Sequence, residues 1–571
     1  MSVTALVIAA LTWTAWLAWA TQRDLAAARM SIEELRVAVE RGDIDSRARS
    51  VERLKRSTES AMQRTDGIWW GALTHFPWIG DDAEGVQVLS ASLSSLSSDA
   101  IDPLVEVVGD LDSVTIQGRI DVQLVRSLEQ PVDRAFQGVS RSADMVAELE
   151  SSGFIGPLRL PFDDYVQQVN DLQDALASAR LATSLAPAML GEDGSRDYLL
   201  IFQNNAEIRG TGGLPGSWAL VHAENGKVSI REQGSSGDFP ILDRPVAPLT
   251  TEEVAVYGQE LGRFWQDPGF TPDFPRAAEL FNAFWMIDNP GRPLDGILTL
   301  DPVALGYLLQ ATGPVDAAGL TVTPDNASQL LLNQIYLDNE NPRVQDLVFQ
   351  AVARAIFDAV TTDVESPLNL VKGLSRASEE GRFLVAPFRE DERAAIDGTS
   401  VEGALAEDDG KTVHVDIGLN DATGSKMSYY LRYWADVSSR DCVDGTQHMN
   451  GSLTLNQTIS PAEAQKLPDY ITGGGVYGTE PGTQLVFVRI YGPYGGELSE
   501  LRINGSRPAF DDIDSLGGRP VATLPISLAN VKDTLITWSM RSGPGQTGAT
   551  EIRLTPSVVP GTLNRRIASS C

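Results

Sequence analysis

A polar, glycine-rich run in the chain is Gln203-Asn204-Asn205-Ala206-Glu207-Ile208-Arg209-Gly210-Thr211-Gly212-Gly213-Leu214-Pro215-Gly216-Ser217. It follows Tyr198-Leu199-Leu200-Ile201-Phe202, a continuous apolar run that reads as a buried strand. A glycine-rich loop leaving such a strand lets the backbone approach a ligand, and its N–H groups can face an anion. The same glycines would also serve a tight turn needing positive φ. Arg209, Asn204 and Asn205 tip the reading towards a ligand, because a packing loop has no need of clustered polar groups. Gly212, Gly213 and Ser217 belong to the same loop. The run lacks the Gly-Lys-Ser/Thr ending of a phosphate-binding P-loop.

Other chemistries find less support. His75, His222, His414 and His448 are scattered and show no metal-ligand spacing. Gly-x-Ser-x-Gly is absent, which argues against a nucleophile-elbow hydrolase. The two cysteines, Cys442 and Cys571, have no convincing catalytic partners and exclude a Cys-rich metal site or a disulfide-dense scaffold. In an exported protein they can form one disulfide tethering the C-terminal tail; two unlinked thiols are the alternative.

The elements that position these residues belong to a chain of 571 residues, which at about 150 residues per domain implies three or four domains. The 45 Lys+Arg and 77 Asp+Glu give a formal net charge of -32. Such a balance argues against nucleic acid as a partner. A hydrophobic share of 42% with 21% charged residues supplies folded cores and gives no case for global disorder.

Met1 to Gln22 carries no charge and is almost wholly apolar from Val3 to Ala20, about the length that spans a bilayer as a helix. Trp13, Trp16 and Trp19 sit near its end, where indoles favour the interface. A retained anchor over 1–22 is expected, with a signal peptide cut after Ala18-Trp19-Ala20 as the alternative. A single-pass cell-membrane protein with its bulk on the extracytoplasmic side follows. Residues 23–190 repeat apolar seams at helical spacing: Leu25, Ala28, Ile32, Leu35, Val39; Val51, Leu54, Thr58, Ala61; Val86, Leu89, Leu93, Leu96, Ala100; Val125, Leu128, Val132, Ala135, Val139; and Tyr165, Val169, Leu172, Leu176, Ala179. They predict a helical bundle or stalk. Trp69, Trp70, Phe76 and Trp78 either cap that bundle or lie against a membrane, core packing being the stronger reading.

Over 191–410 strands alternate with helices, predicting a central α/β domain. Asn225-Gly226 marks a hairpin. Asp301-Pro302 opens a helix with an N-cap and a first-turn proline. Residues 411–571 hold short strands between Gly/Pro/Asp turns, predicting a C-terminal β-sandwich and tail. The fold class is thus multidomain α+β: transmembrane helix, helical bundle, central α/β domain and β-sandwich.

The Tyr198 to Gly216 segment, Pro272-Asp273-Phe274-Pro275, Leu294-Asp295-Gly296 through Leu305, and Ala311-Thr312-Gly313-Pro314-Val315 resemble the bacterial family catalogued as domain of unknown function 4012. More distantly, the central block resembles the LytR–CpsA–Psr phosphotransferases, which move glycopolymers from polyprenyl-pyrophosphate carriers onto peptidoglycan. That resemblance places Arg209 in a first arginine loop, has Arg231 and Asp238 flank a second, and makes Arg343-Val344-Gln345 similar to an Arg-Gln pair opening a helix. The Arg-x-Asp-Thr and Pro-Arg-Asp motifs of that family are absent here.

Transfer of a pyrophosphate-linked group needs cations around the phosphates and a magnesium ion held by carboxylates. Arginine suits phosphate through its planar fork. The expected catalytic residues are therefore Arg209, Arg231 and Asp238, with Asp238 also the ligand of Mg2+, the cofactor this chemistry would use; Asp273 and Asp295 are weaker carboxylates. The expected ligand-binding residues are Asn204, Asn205, Gly212, Gly213, Ser217, Arg343 and Gln345. The function so read is binding, or transfer, of a polyprenyl-phosphate-linked glycopolymer by a membrane-anchored envelope protein; the alternative is a non-catalytic envelope scaffold. If the first holds, Arg209, Arg231 and Arg343 converge on one cleft.

Overall fold

The computed structural model describes residues 3–41, 43–111, 115–116, 118–147, 149–362, 364–407, 410–509, 512–529 and 532–571, excluding the side chains of 3–11, 15, 39–40, 108–111 and 115–116. The chain is a multidomain α+β protein that divides into two compact units, one of residues 1–116 and 121–188, the other of 117–120 and 189–571.

The first unit is helical: α1 (Val3–Glu40), α2 (Ile44–Thr65), α3 (Ile68–Leu73), α4 (Gly80–Ser95), α5 (Ile101–Leu111), α6 (Val122–Ala147) and α7 (Gly156–Met189). In α2 and α6 the predicted seams are the buried ones: Val51, Leu54, Thr58 and Ala61, then Val125, Leu128, Val132, Ala135 and Val139. In α1 the buried stripe is Thr21, Asp24, Ala28, Ser31, Leu35 and Ala38, while Ile32 is exposed. Small residues let the helices approach closely. A Cβ on Gly138 of α6 would lie 2.9 Å from the Asp99 carbonyl carbon, and Ser92 and Ser142 exchange hydroxyl-to-carbonyl bonds of 3.0 and 3.1 Å between α4 and α6. Among the described residues no helix is long and apolar enough to cross a membrane. Most of the apolar run expected to do so lies outside them, at the side chains of 3–11 and 15.

The second unit holds three main sheets. The first is formed by β1 (Arg196–Arg209), β2 (Gly212–Glu224), β3 (Lys227–Ser235), β4 (Gly296–Leu300) and β5 (Phe383–Pro387), in the order β3-β2-β1-β4-β5. The β1–β4 pair is parallel and the others antiparallel. The Asn225-Gly226 turn joins β2 to β3 with φ of 50° and 78°, the conformation that favours Asn-Gly. Helices cover both faces. On one face, α8 (Phe274–Asp288) places Phe281, Phe284 and Trp285 against Leu199 and Ile201. On the other, α9 (Pro302–Thr312) and α10 (Pro342–Thr362) pack on Leu200 and Phe202. Asp301 caps α9, accepting the Ala304 N–H at 2.7 Å.

The remaining sheets are β6 (Val413–Asp421) to β15 (Arg565–Ile567). Six strands run in the order β11 (Ile513–Leu516), β12 (Arg519–Leu528), β9 (Gln484–Tyr491), β6, β14 (Thr550–Leu554), β15; four run β7 (Leu431–Val443), β8 (Thr446–Gln457), β13 (Thr534–Arg541), β10 (Glu497–Ile503). Val415, Ile417, Val488, Ile490 and Leu524 from the first meet Tyr433, Leu453, Ile536, Trp538 and Met540 from the second in one buried core. Cys442 at the end of β7 is disulfide-bonded to Cys571, with Cα atoms 5.0 Å apart.

The run 203–217 corrects the sequence reading. It is no long loop: β1 and β2 continue through it as a hairpin, closed by Gly210-Thr211. The register slips between Asn204 and Ile208, so Asn205, Ala206 and Glu207 bulge out of the ladder. Such a bulge re-aims side chains, and here it aims them at other parts of the unit.

Candidate functional site

Gln203 to Gly213 is buried throughout, so each polar group in it needs a partner inside the protein. Asn204 donates from Nδ2 to Tyr336 Oη at 2.6 Å. Asn205 donates to Asp301 Oδ2 at 2.9 Å. Glu207 binds the Lys426 ammonium. Arg209 donates to Glu207 Oε1 at 3.3 Å and, from Nη1, to the carbonyls of Ile208 and Asp421 at 3.1 Å each. Its guanidinium carbon lies 4.9 Å from the centre of the Phe270 ring. Gly210 donates its N–H to Asn420 Oδ1 at 2.9 Å and accepts from Thr555 Oγ1 at 3.2 Å.

A second buried set continues from Asp301. Arg382, 1% exposed, donates to Asp301 at 2.8 Å, to Glu380 at 2.5 Å and to the carbonyls of Ser557 and Val559. Tyr307 donates to Glu380 at 2.7 Å. Together these bonds bolt the five-stranded sheet to strands and loops as far as 345 residues away in sequence. Burial opposes ionisation of Glu207, but the Lys426 and Arg209 charges outweigh it and hold the carboxyl below its usual range. Asp416 is held low in the same way by Arg553 and Arg519, at 2.5 and 2.6 Å.

Gly212 and Gly213 serve backbone packing. Gly212 has φ of 137°, and a Cβ on Gly213 would lie 2.3 Å from the Asn204 carbonyl carbon. Ser217 is buried in the ladder between Phe202 and Ser235. A cavity of about 90 Å3 adjoins Gly210 and Thr211, lined also by Asp416, Arg553 and Asn564. That is well below the roughly 300 Å3 at which small-molecule sites begin.

The other expected site residues do not join Arg209. Arg231 is half exposed and reaches Asp197 at 3.5 Å. Asp197 stands at the opposite end of β1 from Arg209, on the order of 30 Å away by strand rise. Arg343 is exposed at the start of α10, and Gln345 is buried, donating to the Asn339 carbonyl at 2.6 Å. The three arginines thus do not converge on one cleft.

Asp238 is exposed and accepts the Ser235 N–H at 2.6 Å in a capping box. Asp346 lies near it, its carboxyl raised by burial, with Asp238 adding to the shift. Among the described residues no group of three or more His, Cys, Asp or Glu side chains is placed to hold a metal ion. The described residues thus give Asp238 no companion set of such ligands. Asp295 is taken up by Arg196 and the Asp197 N–H, and Asp273 by the Leu405 N–H.

Sequence reasoning missed Lys426, Asp421, Arg382 and Glu380. None sits in a motif, and each is brought in by a long-range contact. It also missed a groove of about 440 Å3 on the outer face of the four-stranded sheet. Asp436, Ser452, Thr537 and Arg502 form one row across it, in register on four adjacent strands.

Residues 193–336 match the family described as protein of unknown function, DUF4012, so the chain carries a domain of that family over this stretch. No curated protein and no solved structure matches the chain.

Proposed function

We propose that this protein is a non-catalytic scaffold of the cell envelope, tethered through its amino-terminal helix, with its bulk on the extracytoplasmic side. One observation carries the reading: the arginine-bearing hairpin is buried, and Arg209 gives both its Nη groups to Glu207 and to backbone carbonyls of the protein itself. A site for a polyprenyl-linked pyrophosphate would need those donors free and accessible. The Cys442–Cys571 disulfide supports an oxidising compartment. The outer groove on the four-stranded sheet offers an exposed polar face of the kind a scaffold presents to a partner.

The rival is glycopolymer transfer, as the distant resemblance to the LytR–CpsA–Psr enzymes would imply. The test is binding of a polyprenyl pyrophosphate to the purified full chain, with and without magnesium, by native mass spectrometry. No saturable binding is expected. Saturable binding that is lost in Arg231→Ala or Asp238→Asn, two exposed positions whose change leaves the fold intact, would overturn the scaffold reading.

A further inference from the structure

Residues 67–80 of the helical unit read Gly-Ile-Trp-Trp-Gly-Ala-Leu-Thr-His-Phe-Pro-Trp-Ile-Gly and contain no Asp, Glu, Lys or Arg. The segment therefore brings no acidic or basic side chain of its own to the surface. The segment forms α3 and the turn into α4, and it is ordered by its own contacts. Phe76 donates its N–H to the Leu73 carbonyl at 3.0 Å, and Gly80 to that of Phe76 at 2.9 Å. A Cβ on Gly80 would lie 2.5 Å from the Thr74 carbonyl oxygen, so the turn closes tightly.

One indole of the segment faces inward. Trp70 is buried against Leu17 of α1 and Ala83 of α4, and its Nε1 donates to the Ala83 carbonyl at 2.8 Å. Its neighbours face outward: Ile68 is 95% exposed and Trp78 97%, with Trp69, Phe76 and Ile79 also exposed. Trp78 is moreover held at φ of 75°, a strained conformation for a bulky residue. That backbone presents the Trp78 indole to solvent. Contiguous exposed apolar surface of this kind marks a contact site.

The place of the patch on the unit points to its occupant. Through Trp70 the segment is clamped to α1 at Leu17, among the exposed Trp13, Trp16 and Trp19. Beside those indoles lie Arg23, whose guanidinium is 5.4 Å from the Trp19 ring, and Arg64, 5.9 Å from the Trp16 ring and 3.1 Å from Asp24, while Asp66, Asp81 and Asp82 flank the segment in sequence. Indoles at the level of an apolar helix, followed at once by arginines, match the hydrocarbon-to-headgroup boundary of a bilayer.

We infer that Ile68, Trp69, Phe76, Trp78 and Ile79 form a second membrane contact, a wedge lying in the bilayer interface beside α1. This deepens the tethering reading and rests on it for the position of the bilayer. An interfacial wedge adds apolar burial and fixes the angle of the helical unit at the surface, which a single helix leaves free to swivel.

The test uses the full chain in phosphatidylcholine–phosphatidylglycerol vesicles, with Trp78→Cys carrying an environment-sensitive fluorophore while the native cysteines stay paired. Trp13→Cys reports on the tether and Val476→Cys serves as an exposed control. The expected result is a blue shift of the Trp78→Cys label together with quenching by nitroxide-bearing lipid, neither occurring at Val476→Cys. Quenching at Trp13→Cys without quenching at Trp78→Cys would overturn the wedge and leave the tether standing. Absence of quenching at both would remove the tether and the wedge with it. A blue shift at Trp78→Cys in lipid-free buffer would assign the patch to a protein contact and likewise overturn the proposal.

Discussion

Arg209 divides its guanidinium among a carboxylate and two backbone carbonyls, and that division sets what its loss would cost. Removing one partner of a buried ionic set leaves the others unpaired in a medium that solvates them poorly, at about 3–5 kcal/mol. Arg209→Ala is expected to lower the stability of the second unit by that amount in urea titration. Arg209→Lys recovers only part of it, since an ammonium cannot reproduce the fork. Two carboxyls nearby give the unit a pH dependence. Burial pushes Asp267 up to about 7, against the opposing charge of Arg209, and pushes Asp273 up to about 6. A carboxyl whose folded pKa lies above its unfolded one contributes stability in full below the unfolded value, near 4, and loses it as pH rises through the folded one. These two groups therefore weaken the unit between about pH 4 and pH 7. Asp267→Asn is expected to flatten the fall in Tm over that window and to raise Tm at pH 8. Glu207 and Asp416, held low, act in the opposite sense and only in more acid solution.

At the scale of elements, the β1–β2 hairpin depends on backbone approach at its closed end. Gly213→Ala is expected to destabilise by about 1–3 kcal/mol through overpacking against Asn204, measured by thermal unfolding, whereas Gly216→Ala, with nothing nearer than 3.8 Å, is expected to be almost neutral. Local signals made some elements legible in the sequence: Asn225-Gly226 for the β2–β3 turn, Asp301-Pro302 for the start of α9, the seams of α2 and α6. The hairpin's far half was not legible, because pattern reading takes buried strands to be apolar. Gln203, Asn204, Asn205 and Glu207 are buried against polar partners that only the tertiary structure brings near. Strand β8 escaped for a related reason. Its inward positions include Gln447, Gly451 and Gln457 beside Met449, Leu453 and Leu455, so burial alternates where hydropathy does not. In α1 the same effect shifts the buried stripe onto Asp24 and Ser31.

For the whole molecule, the Cys442–Cys571 bridge closes a sequence separation of 129 residues. Loss of a native disulfide costs about 2–5 kcal/mol, the long loop placing this one towards the upper end in the chain-entropy account. The Cys442→Ser, Cys571→Ser double variant is expected to melt at lower temperature by that measure, and reduction of the parent chain to reproduce the shift. The candidate transfer site failed at this scale too. Arg209 and Arg231 are twenty-two positions apart in sequence, but Arg231 sits on β3 beside Asp197, at the end of β1 opposite Arg209, a separation that no motif spacing reveals.

The buried bolt from the bulge of β1 to Asp421, Lys426, Ser557 and Val559 has a consequence for cooperativity. Strands whose buried charged groups are partnered across the sheets cannot open separately without stranding charge in the interior. Residues 189–571 should therefore unfold in one transition, with calorimetric and van't Hoff enthalpies in agreement. A chain ended at residue 410 would carry Glu207 and Arg209 without Lys426 and the Asp421 carbonyl. It should behave as an expanded, dye-binding state, so the matched stretch 193–336 is a part of one folding unit and not a unit in its own right.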